Sequence, residues 1–168
     1  MKGGGELPSK LHNKYIIHAS MGVLISVILI GYWTSYMNVP FLMAPLGTSA
    51  VIVFGAPMVT LAQPRNLLGS YLIAAIIGLT CFYLLGEHLW VLAMAGALLL
   101  AAMQLTRTMH PPAMAILLVT LNYSNSVAAS TLFVTVVISS VILLMLALLI
   151  NNIGNNHNYP NYWLGKHK

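Results

Sequence analysis

Basic residues occur in this chain only at its two ends and in two breaks between long apolar segments. The seven of them are Lys2, Lys10, Lys14, Arg65, Arg107, Lys166 and Lys168. If six segments cross a membrane, all seven side chains fall on one side of it. Since loops rich in lysine and arginine stay in the cytoplasm, the pattern predicts six crossings with both termini cytoplasmic.

Composition also indicates a membrane protein. The chain is 59% hydrophobic and 5% charged, whereas roughly a quarter of the residues in soluble proteins are charged. Its net charge of +5 is spread between apolar segments, which argues against nucleic acid as a partner. Because residues 1–11 lack the features of a signal or transit peptide, we expect a bacterial inner membrane. The single cysteine, Cys81, excludes an intramolecular disulfide and a cysteine metal site.

Six apolar segments can be distinguished, and two of them are unlike the others. Residues 15–36, 67–86, 89–106 and 127–150 form four long runs, and a membrane-spanning helix needs about 20 residues. Another run, residues 41–62, contains Pro45, Gly47, Gly55 and Pro57. These residues interrupt a straight helix. The remaining run, residues 113–123, would rise only about 16 Å as a helix, which is about half of a bilayer core.

The interrupted segments hold the same place in each half of the chain: long, broken, long, and then long, short, long. A shift of 66 residues aligns residues 43–45 (Met-Ala-Pro) with residues 109–111 (Met-His-Pro). Because each half would contain three crossings, the halves would be inverted relative to one another, as in many transporters. The other interpretation is that proline and glycine only kink ordinary packed helices.

We therefore predict an all-α integral membrane protein in which six membrane segments form two inverted three-segment repeats. The middle segment of each repeat is broken or half-length. The predicted boundaries are 1–14 for a cytoplasmic N-terminal tail, about 15–86 and 87–152 for the repeats of a single transmembrane domain, and 153–168 for a cytoplasmic or interfacial C-terminal tail. Six short crossings enclose little space, so we also expect a homo-oligomer in the lipid bilayer.

The stretch His110-Pro111-Pro112-Ala113, with Arg107 just before it, resembles the motif that gives the HPP family of integral membrane proteins its name. Residues 44–51 and 62–66 are similar to that family's other characteristic stretches, and the resemblance covers about residues 16–150. Some relatives in cyanobacteria and plastids are implicated in nitrite transport, so the resemblance implies passage of a small anion, with nitrite as the leading candidate. Some members carry C-terminal CBS domains. Because this sequence ends soon after its last apolar run, we expect neither such a domain nor nucleotide control.

The candidate site draws on both interrupted segments, and its residues are Pro45, Gly47, Thr48, Ser49, Arg65, Asn66, Arg107, His110, Pro111, Pro112 and Ala113. Two prolines suit the first turn of a helix, so the N–H groups from Ala113 onward are expected to be free donors. In the first half, Gly47 would permit close approach and the two hydroxyls after it would add donors. Two opposed helix N-termini would then hold one small anion between them.

His110 and the two arginines each have two interpretations. A helix N-terminus disfavours a charged His110 and a bound anion favours it, so proton and anion binding could be coupled. Otherwise, neutral His110 caps the short helix or bonds a carbonyl. Arg107 and Arg65 either attract and bind anions or only set the topology at lipid phosphates, and Arg65 could also fasten a turn by bonding carbonyls.

An enzyme is not expected, and neither is a cofactor or a metal. The only acids are Glu6 in the N-terminal tail and Glu87 in the turn that we place outside, and we find no nucleophile paired with a base. The alternative to anion transport is a membrane-embedded sensory or interaction subunit without transport of its own.

Overall fold

The computed structural model describes residues 11–153 and 158–163. Within them the chain forms six α-helices: α1 Asn13–Tyr36, α2 Met43–Gly55, α3 Pro64–Leu85, α4 Leu89–Thr106, α5 Ala113–Tyr123 and α6 Ala129–Asn151. Single 3₁₀ turns at Pro40–Leu42 and Thr60–Ala62 precede and follow α2. The predicted tails 1–14 and 153–168 lie largely outside the described residues, as do their lysines 2, 10, 166 and 168.

Four of these helices are long and apolar enough to cross a membrane. They are α1, α3, α4 and α6, with 24, 22, 18 and 23 residues. The short helices α2 and α5 have 13 and 11 residues. The prediction of an all-helical membrane protein is therefore confirmed, and so is the order of long and short segments. The inverted repeat stays a prediction.

Helices α1 and α2 run in opposite directions, and so do α3 and α4, as contacts between their ends show. At the start of α1, Tyr15 donates a hydrogen bond to Gly55 O at the end of α2, at 2.9 Å. At the start of α3, Arg65 Nη2 donates to Thr106 O at the end of α4, at 2.8 Å. We call the end of the bundle that carries Arg65 and Arg107 the arginine end, and the opposite end the far end.

The break in the second segment lies later than the sequence indicated. Pro45 and Gly47 were expected to interrupt it, but both lie inside α2. Pro45 is the third residue of that helix, where a missing N–H costs little because the first N–H groups have no partner within the helix. The helix instead ends at Gly55, and Pro57 lies in the turn that follows. The expected interruption is thus confirmed at Gly55 and Pro57 and wrong at the two earlier positions.

Helix α6 packs against α1, α2, α3 and α5, and helix α3 packs against α4, α5 and α6. The approach of α3 to α5 is the tightest, because a Cβ added at Gly78 would overlap Thr120 Oγ1 and lie 3.2 Å from the carbonyl oxygen of Leu117. Helix α1 packs against α2 and α6. Its other face exposes large apolar side chains such as Ile17 and Leu24, as expected of a helix that meets lipid.

Candidate functional site

Three polar side chains from three parts of the fold meet inside the bundle. His110 in the loop between α4 and α5, Ser49 in α2 and Tyr71 in α3 are each 0% exposed. His110 Nε2 lies 2.7 Å from Ser49 Oγ, which lies 2.6 Å from the Tyr71 hydroxyl. At one end of this chain of contacts, His110 Nδ1 lies 2.7 Å from Leu61 O. At the other end, the Tyr71 hydroxyl lies 2.9 Å from Pro45 O.

We call His110, Ser49 and Tyr71 the histidine cluster. Burying hydrogen-bonding groups is costly unless they are paired, and here each is paired with another member or with a carbonyl. His110 and Ser49 were among the predicted site residues, whereas Tyr71 was not. A signal was present, because Asn66, Ser70 and Tyr71 are polar residues near the start of an otherwise apolar segment, and all three are buried.

The loop before α5 satisfies its own backbone. The N–H groups of residues 113–115 donate to the carbonyls three residues earlier, beginning with His110 O, at 3.0, 3.1 and 3.0 Å. The expectation that these N–H groups are free donors for an anion is therefore wrong, because the tight first turn closes them on its own carbonyls. Pro111 is exposed, whereas Pro112 and Ala113 are buried.

The two short helices lie side by side and antiparallel. The loop at the N-terminus of α5 contacts Ser49, in the middle of α2, through His110. The residues before α2 instead meet the C-terminus of α5, where the rings of Phe41 and Tyr123 stack with centroids 3.7 Å apart. The structure thus places the two N-termini at opposite ends of the pair, and not opposed across one site as expected.

Two of the candidates in α2 do not join the cluster. Thr48 is exposed, and its hydroxyl donates to carbonyls of its own helix, Ala44 O at 3.2 Å and Pro45 O at 2.8 Å. A Cβ added at Gly47 would meet nothing within 4 Å. The expected close approach at Gly47 is therefore wrong, and Ser49 is the residue of this stretch that reaches the cluster.

Two of the candidates at the arginine end, Arg65 and Asn66, bond carbonyls at the end of α4 and in the loop between α4 and α5. Arg65 Nη2 donates to Thr106 O at 2.8 Å, which confirms the interpretation that Arg65 bonds carbonyls; a cation is also favourable at a helix C-terminus. Asn66 is buried, and its Nδ2 donates to Met109 O at 2.9 Å, so it holds the residue next to His110. Arg107 is exposed and ends α4 in a left-handed conformation, with φ 55°.

A second set of contacts fastens the loop after α2. Residues 158–163, which we call the C-terminal strap, cross the arginine end. In the strap, the Tyr159 hydroxyl donates to Ala62 O at 2.6 Å, and Asn161 N donates to Gln63 Oε1 at 2.8 Å. Burial raises the pKa of the Tyr159 phenol, which therefore stays protonated and remains a donor. The loop that the strap holds also supplies the carbonyl bonded by His110.

Comparison with known proteins supports the family resemblance that the motifs indicated. The model of the transmembrane region of the HPP family matches residues 8–160. The chain belongs to the HPP family. Two relatives from Dictyostelium discoideum, both described only as transmembrane proteins, are similar to this HPP protein. One is 30% identical over an alignment of 172 positions, which covers 96% of this chain and 55% of the relative. The other is 33% identical over an alignment of 128 positions, which covers 73% of this chain and 45% of the relative.

The HPP protein spans about half the length of the curated relatives it matches, 55% and 45%. No solved structure matches it. Within the residues that the structure describes, no three histidine, cysteine or acidic side chains come together in a way that could hold a metal ion.

The three stretches that carry the family resemblance converge on one place in this HPP protein. Residues 44–51 supply Ser49, residues 110–113 supply His110, and these two side chains are in direct contact. Residues 62–66 supply Asn66, which bonds the loop one residue before His110. Stretches that lie far apart in the sequence therefore build a single buried site.

Proposed function

We propose that this HPP protein moves a small inorganic anion across a membrane, with nitrite as the leading candidate, and that the histidine cluster is the polar step on the path. One observation carries the proposal: three fully buried hydrogen-bonding side chains from α2, α3 and the α4–α5 loop meet in an apolar bundle. Polar and ionisable groups inside membrane proteins are expensive, and they commonly mark substrate or ion pathways.

The chemistry of the cluster suits a small anion. The hydroxyls of Ser49 and Tyr71 can each donate a hydrogen bond, and so can His110 when Nε2 is protonated. A few donors without a fixed charge bind an anion well enough to admit it and weakly enough to release it. Arg65 and Arg107 contribute positive potential at the arginine end, which raises the local concentration of anions there.

The orientation and surroundings of the protein complete the proposal. Lys14, Arg65 and Arg107 all lie at the arginine end, so we place that end in the cytoplasm, of a bacterial inner membrane. We also propose that the protein works as a homo-oligomer and performs no chemical step on the anion. Nitrite is chosen over nitrate, formate and chloride on the family resemblance alone, and competition between these anions tests that choice.

The test is nitrite uptake into proteoliposomes that contain the purified protein. The variant His110→Gln removes the imidazole from the cluster. His18→Gln is a matched control, because His18 also bonds a backbone carbonyl, with its Nε2 2.7 Å from Ile150 O, but lies outside the cluster. We expect His110→Gln to lower uptake by about tenfold or more and the control to retain it, as expected for a group on the path.

Folding of each variant is checked by thermal unfolding in detergent. If folded, unaltered protein takes up none of nitrite, nitrate, formate or chloride, the transport proposal fails. That result would favour a sensory or interaction subunit. Equal uptake by the two histidine variants would instead place the path elsewhere.

A further inference from the structure

When His110 is neutral, the histidine cluster has fewer donor hydrogens than hydrogen-bonding contacts. Four contacts join its members and the two carbonyls at its ends. The carbonyls of Leu61 and Pro45 can only accept. A neutral imidazole brings one N–H, and Ser49 and Tyr71 bring one O–H each. Three hydrogens therefore serve four contacts, and one contact is left without a hydrogen bond.

The carbonyl at Leu61 requires Nδ1 of His110 to be its donor. In the neutral state we place the hydrogens so that Nε2 accepts from Ser49 and Ser49 accepts from Tyr71. No cluster hydrogen then remains for Pro45 O, the acceptor that has another donor in Thr48. When Nε2 gains a proton, the two contacts of Ser49 reverse, so that His110 donates to Ser49 and Ser49 donates to Tyr71. Tyr71 then donates to Pro45 O, and Nδ1 still donates to Leu61 O. Only two hydroxyl hydrogens rotate, and every heavy atom keeps its position.

The carbonyl of Pro45 has a side-chain donor in both states. The hydroxyl of Thr48 donates to the same oxygen at 2.8 Å. The neutral cluster is thus complete enough to be stable, and the protonated cluster fills all four contacts. Such an arrangement accepts one proton with little rearrangement.

The protonated cluster has no fixed counter-charge. Ser49 faces His110 from α2 and Tyr71 faces it from α3, and neither is an acid. The nearby charged groups at the arginine end, Arg65 and Arg107, are cations. Among the described residues the only carboxylate is Glu87, in the turn between α3 and α4 at the far end.

The other titratable groups of the surrounding elements do not supply a negative charge either. Tyr159 and Tyr162 of the strap donate to Ala62 O and to Asn66 Oδ1. On α1, His18 bonds Ile150 O. The sequences of α4 and α6 contain no titratable residue, and the tyrosine of α5 lies at the far end. A buried imidazolium without a carboxylate needs its negative partner from elsewhere.

We propose that a proton on His110 and the transported anion bind together, so that one proton accompanies each monovalent anion. This inference rests on the proposed function. The proton adds to Nε2 of His110, the anion supplies the missing negative charge, and both leave on the other side with no covalent bond or redox change. The net charge moved is zero. Because such coupling is reciprocal, the anion strengthens proton binding and the proton strengthens anion binding.

Tyr71 acts through Ser49 as a positioning residue for the proton. In the protonated state it accepts from Ser49 and donates to Pro45 O, whereas in the neutral state it only donates to Ser49. Removing its hydroxyl therefore weakens the protonated state more than the neutral one. Tyr123 provides the control, because Tyr123→Phe likewise removes only a hydroxyl, and its ring lies at the far end of the bundle, stacked on Phe41.

The first experiment does not depend on transport. The protein is labelled with ¹⁵N-histidine in lipid nanodiscs, the His110 signals are assigned with His110→Gln, and their pH midpoint is recorded with and without nitrite. We expect nitrite to move the midpoint to higher pH by about one unit, which corresponds to about tenfold coupling. Tyr71→Phe should move it to lower pH, and Tyr123→Phe should leave it unchanged.

The second experiment measures nitrite uptake under an imposed proton gradient or an imposed membrane potential. Protein-free vesicles correct for diffusion of neutral nitrous acid. Uptake driven by the proton gradient and insensitive to the potential supports the inference. Uptake that follows the potential alone, with an unchanged midpoint, overturns the coupling and keeps the proposed function. No uptake of any tested anion overturns the proposed function itself, and the coupling with it.

Discussion

The two short helices hold equivalent places in the order of the chain, but their surroundings differ. Helix α5 brings its backbone against α3 at Gly78, where an added Cβ would overlap Thr120 and approach a carbonyl of α5 at 3.2 Å. Helix α2 instead inserts the ring of Phe54 against Gly22 of α1, and its own Gly47 borders open space. Equivalent order along the chain therefore does not imply equivalent packing.

Side-chain hydrogen bonds are also distributed unevenly between the two short helices. The entry to α5 is held by side-chain hydrogen bonds, from Asn66 to Met109 O and from His110 to Leu61 O. The residues before α2, by contrast, form an apolar 3₁₀ turn at Pro40–Leu42. The functional site lies where the entry of one short helix meets the middle of the other, and not between two similar ends.

The largest effect should come from the tight contact of α5. Gly78→Ala forces apart α3 and α5, and because Thr120 Oγ1 also bonds carbonyls of its own helix, it cannot move freely. We expect destabilisation by about 3 kcal/mol, measured by reversible unfolding in mixed micelles. Gly47→Ala should be neutral or stabilising by up to about 1 kcal/mol, since alanine favours a helix interior. Equal losses in the two variants would contradict the comparison.

A smaller difference should separate two neighbours in α2. Ser49→Ala removes the partner shared by His110 and Tyr71 inside the bundle, and a buried group left without its partner costs about 2 kcal/mol. Thr48→Ala removes an exposed hydroxyl that bonds only its own helix, so we expect a change within about 0.5 kcal/mol. Thermal unfolding of both variants in detergent provides the measurement. A Thr48→Ala loss as large as that of Ser49→Ala would show that the cluster is not the polar centre of α2.

The two ends of α5 should also respond differently. Asn66→Ala removes the buried donor to Met109 O before the helix, and we expect a loss of about 1.5 kcal/mol. Asn122→Ala changes an exposed amide near the end of α5, where a change within about 0.5 kcal/mol is expected. Hydrogen exchange at the α4–α5 loop gives a local measurement, and it should speed up in Asn66→Ala only. Unchanged exchange there would mean that other contacts hold the loop.

The smallest effect concerns the point where the ends of α2 and α5 meet. Tyr123→Ala removes the ring that stacks on Phe41, and aromatic pairs contribute about 1 kcal/mol beyond burial. Tyr123→Phe keeps the ring and should behave as the unaltered protein in the same unfolding measurement. If Tyr123→Phe were as destabilising as Tyr123→Ala, the hydroxyl and not the stack would join the two helices.

The sequence alone determined which segments become helices. The predicted runs 89–106 and 113–123 coincide with α4 and α5, and the run 15–36 differs from Asn13–Tyr36 by two residues. Helix boundaries could be predicted because they depend on nearby residues: apolar length, glycine and proline at the ends, and a charge that stays out of lipid. The family motif could also be recognised, because it is a short continuous stretch of sequence.

Only the tertiary structure decided which surfaces of those helices contact one another. The bond from Ser49 to His110 joins residues 61 positions apart, and the bond from Leu61 to His110 joins residues 49 apart. Such contacts depend on how each helix is rotated about its axis and on which helix is its neighbour, and an almost uniformly apolar surface carries little information about either. For this reason only the tertiary structure showed that Tyr71 joins His110 and Ser49 and that the two short helices are antiparallel.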